Sequence, residues 1–455
     1  YTAKFFKKKD STTRGSMKGQ DQMPSLTPLH ETYCRWDRTP PSQADVLEGL
    51  AQLVTMRFND VIQELVKSLQ REILMSIFGL SENNSQKIQN IPSIVRLYQM
   101  SYDMLFHYGN TLIAPALRQI IERFPKLHNK PLTPSLHFLV SALNGIIGDY
   151  LLKYQNPLAL PMVIYDHYGS LQKGELSGRI TLFVHGLCMN HLDWSNRKYE
   201  GIGEKLLAQR SRNTMLYLNY NTGRRISANG RSLANTLQEL VTRNPRITSI
   251  DLIGHSMGGL VSRSALFYGK QNMYGWVNMV ENLVCLGSPH HGAVLERFGF
   301  SLQDKLGHFP LIRLIGHLVN IRSNGILDLR HGSVRDDDWE HNPLRIGLMD
   351  DHRKPAPIPS HIDTYLVAGT IEFEHRRNKT LHMIGDYLVS LKSALGEHPN
   401  PRFQLKVPDA HKAIFYGLNH FEIQYHPLVA EQIVRWFYPS VEDEAFDQIH
   451  EYLMD

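Results

Sequence analysis

Apolar residues recur at steps of three or four from Leu47 through Leu50, Val54, Phe58, Val61, Leu65, Leu69 and Ile73 to Ile77. That spacing puts them on one stripe and predicts a long amphipathic helix over 44–78. Pro40-Pro41-Ser42 opens it, with Ser42 as the N-cap, and Gly79 with the polar Ser81-Glu82-Asn83-Asn84 closes it. Two shorter helices are expected near 92–107 and 111–124. Thr133-Pro134, a cap followed by proline at the first helical position, announces a fourth that runs to about Tyr154. Its apolar stripe is Leu136, Val140, Leu143, Ile147, Tyr150 and Tyr154, which leaves Asp149 on the solvent side.

From about residue 160 the period changes. Short β-rich runs appear at RITLFVHG (179–186), NTMLYLNYN (213–221), SIDLIGHS (249–256), ENLVCLGSP (281–289), DTYLVAGT (363–370) and AHKAIFYGL (410–418). Helical stretches near 200–211, 228–243, 257–270 and 427–437 separate them. Alternation of this kind builds βαβ units, hence a parallel sheet with both faces covered. The gap between the fourth and fifth runs, about 293–362, is long enough to read as a lid insertion. It holds an amphipathic piece at 309–321 and the charged RDDDWE at 335–340.

The organisation expected is therefore a flexible or appended tail at 1–41, a helical subdomain at 42–155, an α/β domain at 156–440 and a short tail at 441–455. The start, YTAKFFKKKD, carries the charges of a signal-peptide n-region, but polar residues follow where the apolar stretch belongs. No apolar run reads as a membrane span.

Composition narrows the function classes. The chain has 455 residues, 42% hydrophobic and 20% charged, with a net charge of +5. Those are the proportions of an ordinary globular protein, and no basic stripe interleaved with aromatics points to nucleic acid. Cys34, Cys188 and Cys285 are odd in number and far apart, which argues for a reducing, cytoplasmic compartment over a disulfide framework. The 23 histidines lack metal-ligand spacing, so no metal is expected.

The chemistry concentrates in Gly254-His255-Ser256-Met257-Gly258-Gly259. It lies after the apolar strand 250–253 and before a helix, the context in which a strand-to-helix turn exposes a serine hydroxyl beside a helix N-terminus. A first strand ending in His185-Gly186-Leu187 supplies the partner: the backbone N–H groups of Leu187 and Met257 would form the oxyanion hole. His185 itself reads as a structural hydrogen-bonder at the wrong strand end for a base.

VHGLCMN (184–190), GHSMGG and LGSPHHG (286–292) together resemble the α/β-hydrolase superfamily. Within it they are most similar to bacterial lipase/esterase-type proteins related to the GPI inositol-deacylase-like group. The resemblance, over about 160–440, implies an α/β-hydrolase fold and a Ser, Asp/Glu, His triad in that chain order, with no metal and no organic cofactor. The histidine should follow the last strand, where His411, His420 and His426 are available; His420 in GLNHFEI resembles the family's Asn-His loop. The acid should follow strand 363–370, leaving Glu372, Glu374 and Asp386. Gly385-Asp386-Tyr387-Leu388-Val389 matches the family's Gly-Asp-Gly-x-Val turn except that Tyr387 holds the second glycine position, a residue that tolerates positive φ badly.

The implied activity is cleavage of an acyl or lipid ester by Ser256, Asp386 and His420. The same triad with a hydroxyl acceptor would make an acyltransferase, and an idle member of the family would be a scaffold. The implied partner is a small acyl ester or lipid, with peripheral membrane contact through the lid or the long N-terminal helix. His290-His291 have no chemical role on this reading. Trp194 reads as packing, and Arg224-Arg225 as a solvated loop.

Overall fold

In the computed structural model, the described residues are 39–55, 111–112, 114–195, 200–209, 213–293, 323–339, 353–371 and 385–439. Seven strands form one sheet: β1 (Val163–Asp166), β2 (Ser177–Val184), β3 (Thr214–Asn219), β4 (Arg246–His255), β5 (Val280–Leu286), β6 (Asp363–Thr370) and β7 (Lys412–Tyr416). Their order is β1-β3-β2-β4-β5-β6-β7. All pairs are parallel except β1 with β3, where Val163 faces Asn219 and Asp166 faces Leu216. This is the α/β-hydrolase fold expected from the sequence. Six strands coincide with the predicted runs; β1, only four residues long, was not anticipated.

The period of two along each strand divides the core into two layers. Ile180, Leu182 and Val184 of β2, with Ile250 and Leu252 of β4, join α3 (Pro134–Lys153), α5 (Ile226–Arg243) and α6 (Met257–Gln271) on one face. Phe183, Ile253, Val284 and Val367 meet α4 (Ile202–Gln209) and α9 (Pro427–Phe437) on the other. A parallel sheet covered on both faces needs no polar side, which is why its strands read as near-continuous apolar runs. A buried charge on the central strand is Asp251, which accepts from Arg179 Nε at 2.7 Å and from Asn282 Nδ2 at 2.7 Å.

Between Gln43 and Arg123, α1 (Gln43–Thr55) and α2 (Ala114–Arg123) pack together and share the Glu48–Arg118 ion pair at 3.2 Å. Ser42 caps α1 as expected, accepting from Asp45 N–H and donating to its carboxylate. The predicted helix beyond Thr55 and the one near 92–107 lie outside the described residues. Val46 and Leu132 belong to the same apolar cluster as the sheet, so this helical segment shares the main core.

Helix α3 departs from its reading in three ways. It is long and apolar enough to cross a membrane by length and composition, although no such span was expected; here it packs into the core. It breaks at Ile147 (φ −132°, ψ 20°), beside the point where Asn221 Nδ2 donates to Gly148 O at 2.8 Å. Asp149 is half-buried rather than on the solvent side, and its carboxylate accepts from Asn324 N–H at 3.1 Å. Ser323 Oγ donates to Gly145 O at 2.6 Å, so α3 anchors the start of α7 (Asn324–His331). In the insertion expected as a lid, the described pieces 323–339 and 353–362 send Leu329, Val334, Ala356 and Ile362 into the core. The amphipathic piece at 309–321 lies outside the described residues.

Arg224 and Arg225 do not form a solvated loop. Arg224 is buried and donates to Asn229 and Ser232, while Arg225 pairs with Asp328 at 2.6 Å and lies 4.6 Å from the Trp339 ring centre. The acceptor of Arg225 lies more than a hundred residues further along, beyond the reach of a local reading.

Candidate functional site

The turn between β4 and α6 holds Ser256 at φ 53°, ψ −120°, a region non-glycine residues visit rarely and at a cost of about 1–3 kcal/mol. Its surroundings enforce it: Ser256 N–H donates to Leu286 O at 2.8 Å, and Ser256 O accepts from Gly259 N–H at 3.2 Å. A Cβ on Gly258 would sit 2.0 Å from Val184 O and 2.8 Å from His185 O, so only glycine lets the helix approach strand β2 this closely. The serine follows directly on the sheet's central strand and immediately precedes a 15-residue helix. It is buried, with 5% of its surface exposed.

The turn after β2 is held as firmly. Cys188, at φ 60°, donates its N–H to Thr222 Oγ1 at 3.2 Å, and Met189 N–H reaches Gly186 O at 3.3 Å. Gly186 lies against the serine, since a Cβ there would stand 3.1 Å from Ser256 Cβ. Among the described residues, no acceptor takes the N–H of Leu187 or of Met257. His185 is fully buried, its Nδ1 2.9 Å from Gly186 O and its ring stacked on Tyr220. Burial pulls its pKa down to about 4, which leaves it neutral.

The structure brings Asp386 and His420 together. His420 Nδ1 stands 2.7 Å from Asp386 Oδ2, and both side chains are almost wholly buried. Asp386 Oδ1 accepts two backbone N–H groups, from Leu388 at 3.0 Å and Val389 at 2.8 Å. His420 N–H closes onto Asp386 O at 3.2 Å, tying the two loops by their backbones as well. In the acid's turn Gly385 has φ 59° and Tyr387 φ 83°, so the tyrosine does occupy the positive-φ position a glycine would suit.

Asn419 and Glu422 shape the histidine loop. Asn419 Oδ1 accepts from Phe421 and Glu422, and Glu422 Oε2 accepts from Asn419 N–H at 2.9 Å, a capping box legible as N-x-x-E. The end of β5 closes the cluster: Gly287, at φ 55°, has room only for hydrogen, because a Cβ would meet Ile423 at 2.5 Å and Asp386 Oδ2 at 3.1 Å.

His255 joins the serine turn to this pair. Its Nε2 donates to His420 O at 2.8 Å, and the two rings stand 4.9 Å apart. Trp194, buried, meets His255 edge-on at 6.4 Å. No hydrogen bond joins Ser256 Oγ to His420 in this structure. The sequence offered no sign of the His255 contact, whose acceptor is 165 residues away.

The other candidates lie elsewhere. His411 ends the 3-10 turn just before β7 and packs 4.3 Å from the Tyr365 ring; His426 caps α9 by accepting from Leu428 N–H at 3.3 Å. Glu372 and Glu374 lie outside the described residues. Among the described residues, no group of three or more His, Cys, Asp or Glu side chains could hold a metal ion. Burial pushes the thiols of Cys188 and Cys285 up to about 12, so neither is a ready nucleophile.

With the geometry in place, the chain can be set beside known proteins. Residues 175–398 match the profile of the PGAP1-like alpha/beta domain family. Residues 175–398 are a PGAP1-like alpha/beta domain. That span contains the serine turn, the Gly186 turn and the Asp386 turn, while His420 lies beyond it. No curated protein matches the chain. Among solved structures, the chain is similar to the mature lipase BlEst2 of Bacillus licheniformis, with 19% identity and a TM-score of 0.36 over 61% of this chain and 97% of that one. It is also similar to the naproxen esterase, carboxylesterase NP, of Bacillus subtilis, with 14% identity and a TM-score of 0.33 over 61% and 87%. A lipase-esterase related protein from Clostridium acetobutylicum follows, with 13% identity and a TM-score of 0.32 over 60% and 97%.

Proposed function

We propose that the PGAP1-like domain is a serine esterase that cleaves carboxylic esters of acyl or lipid character through an acyl-enzyme. Ser256 is the nucleophile, His420 the general base and acid, and Asp386 the group that orients the imidazole. The N–H groups of Leu187 and Met257 are the oxyanion donors. The observation that carries this reading is the buried 2.7 Å contact between Asp386 and His420, tied through His255 to the strained serine turn.

The steps follow from those roles. His420 Nε2 takes the proton of Ser256 Oγ as Oγ bonds to the ester carbon, and the carbonyl oxygen becomes an oxyanion held by two N–H donors. The imidazolium then gives that proton to the leaving alkoxide as the C–O bond breaks. Water, deprotonated by the same nitrogen, bonds to the acyl carbon; the Oγ–C bond breaks, the imidazolium returns its proton to Ser256 Oγ, and a carboxylic acid leaves. Asp386 keeps the proton on Nδ1 throughout, so that Nε2 is free to accept. The Ser256–His420 hydrogen bond is a contact expected to tighten when substrate fills the site.

Hydrolysis of p-nitrophenyl esters from acetate to palmitate tests this. Turnover should depend on chain length and fall at least about 10³-fold in Ser256→Ala. Absence of turnover across the series, or turnover unaffected by that substitution, contradicts the proposal.

A further inference from the structure

Away from the serine, the face of the sheet that carries α6 opens into a cavity of about 810 Å³. Neither Ser256, Asp386 nor His420 lines it. Its floor is Arg263, seven residues along α6 from Ser256 and so roughly 10 Å from it. Its far wall comes from 353–363 and 401–408.

The charge distribution is lopsided. Among the described residues, Arg263, Arg353, Lys354, Arg402 and Lys406 line the cavity against two carboxylates, Asp338 and Asp363, and Lys354 also stands 3.7 Å from Asp337. Asp338 is already occupied: its two oxygens accept the backbone N–H groups of Val334, Arg335 and Lys354. Arg263 is buried, donates to His290 Nδ1 at 3.1 Å and to Ala356 O at 3.3 Å, and forms no ion pair with any described residue. Burial brings its pKa down to about 10, which still leaves it charged at neutral pH.

A buried guanidinium whose own hydrogen bonds go only to neutral acceptors, with the Asp338 carboxylate acting on it from a distance, is costlier than a well-packed apolar residue. Folding alone does not account for it. His290 adds to the same surface. Because a guanidinium only donates, His290 Nδ1 must accept, so the ring proton sits on Nε2, which is buried and has no partner among the described residues. Burial keeps this histidine neutral. Around the cations the walls are apolar, with Ala356, Ile358, Phe403 and Leu405 among them. The volume is that of an ordinary small-molecule site.

We propose that this cavity is a binding site for an amphipathic anion, its headgroup answering Arg263, Arg353 and Lys354 and its apolar chain lying against Ile358, Phe403 and Leu405. The His290-His291 pair of LGSPHHG, idle in the ester chemistry, belongs to this site: Arg263 rests on His290 Nδ1, and Arg353 Nη2 lies 3.4 Å from His291 Nδ1.

Calorimetric titration of the full chain with octyl phosphate, inorganic phosphate and octyltrimethylammonium tests it. Octyl phosphate should bind saturably at one site, at least about tenfold tighter than inorganic phosphate, since even two buried methylenes contribute about 1.6 kcal/mol. The ammonium surfactant should not bind. Replacing Arg263 risks the fold, so the informative variant is Lys354→Glu with Arg402→Glu, both near the rim, which should weaken octyl phosphate about tenfold or more. Ser256→Ala should leave the affinity unchanged. Equal binding of the cationic surfactant, inorganic phosphate binding as tightly as octyl phosphate, an unchanged affinity in the charge-reversed variant, or loss of binding in Ser256→Ala would each overturn the proposal.

Discussion

Replacing Asp386 by asparagine keeps the shape of the side chain and removes its charge. The turn dictates how the amide must sit. Oδ1 accepts two buried N–H groups, from Leu388 and Val389, while Oδ2 faces His420 Nδ1. Pointing the NH₂ at the two backbone donors would lose both bonds, at about 1–3 kcal/mol each. The amide oxygen therefore stays on the turn and the NH₂ turns to His420, whose Nδ1 must now accept. That forces the ring proton onto Nε2, the atom that has to take the proton of Ser256. On the proposed assignment, kcat for a p-nitrophenyl ester should fall by about 10⁴, or about 5.4 kcal/mol of barrier, with little change in stability. Steady-state kinetics of Asp386→Asn beside Glu372→Gln check this. A loss below about tenfold in Asp386→Asn, or a comparable collapse in Glu372→Gln alone, would refute the reasoning.

Tyr387→Gly should stabilise the protein by about 0.5–1 kcal/mol, because the residue holds φ 83° and leaves 54% of its surface exposed, so little packing is lost; a lower urea midpoint in the variant contradicts this. Gly258→Ala should destabilise by about 3 kcal/mol or more and remove esterase turnover, since the new methyl meets two backbone oxygens that have nowhere to go. Stability should also fall as pH drops from about 6.5 towards 4. Burial holds His185 down at about 4, His191 at about 3 and His290 well below its usual value, so the unfolded chain takes up protons the folded one refuses. Each contributes up to about 1.4 kcal/mol per pH unit in that window. Asp328, pushed up to about 7 by burial, and Asp149, also raised, work the other way, but His291, held at about 3, and His137, also lowered, add to the three. Denaturation midpoints at pH 7.5, 6 and 5 that do not decline would contradict the account.

What could be read from the chain was local. Six strands announced themselves as apolar runs, and the serine turn, the Asn-His loop and the Gly-Asp turn are each contiguous motifs whose backbone geometry follows from their own residues. What could not be read depends on partners far away in the chain. Strand β1 has four residues and gains its identity only by pairing with β3. The break in α3 lies beside a hydrogen bond from Asn221, more than seventy residues on. Asp149 looked solvent-facing because its partner, the N–H of Asn324, is 175 residues distant. His290 looked idle for the same reason: the Arg263 guanidinium is brought to it only by the fold, as the His420 carbonyl is to His255.

The central claim is that Ser256 is the group that attacks. Intact-mass analysis after treatment with a fluorophosphonate, followed by peptide mapping, addresses it most directly. The account predicts one adduct per chain, on Ser256, formed by the parent protein and absent from Ser256→Ala; no adduct, or an adduct that persists in the variant, would contradict it.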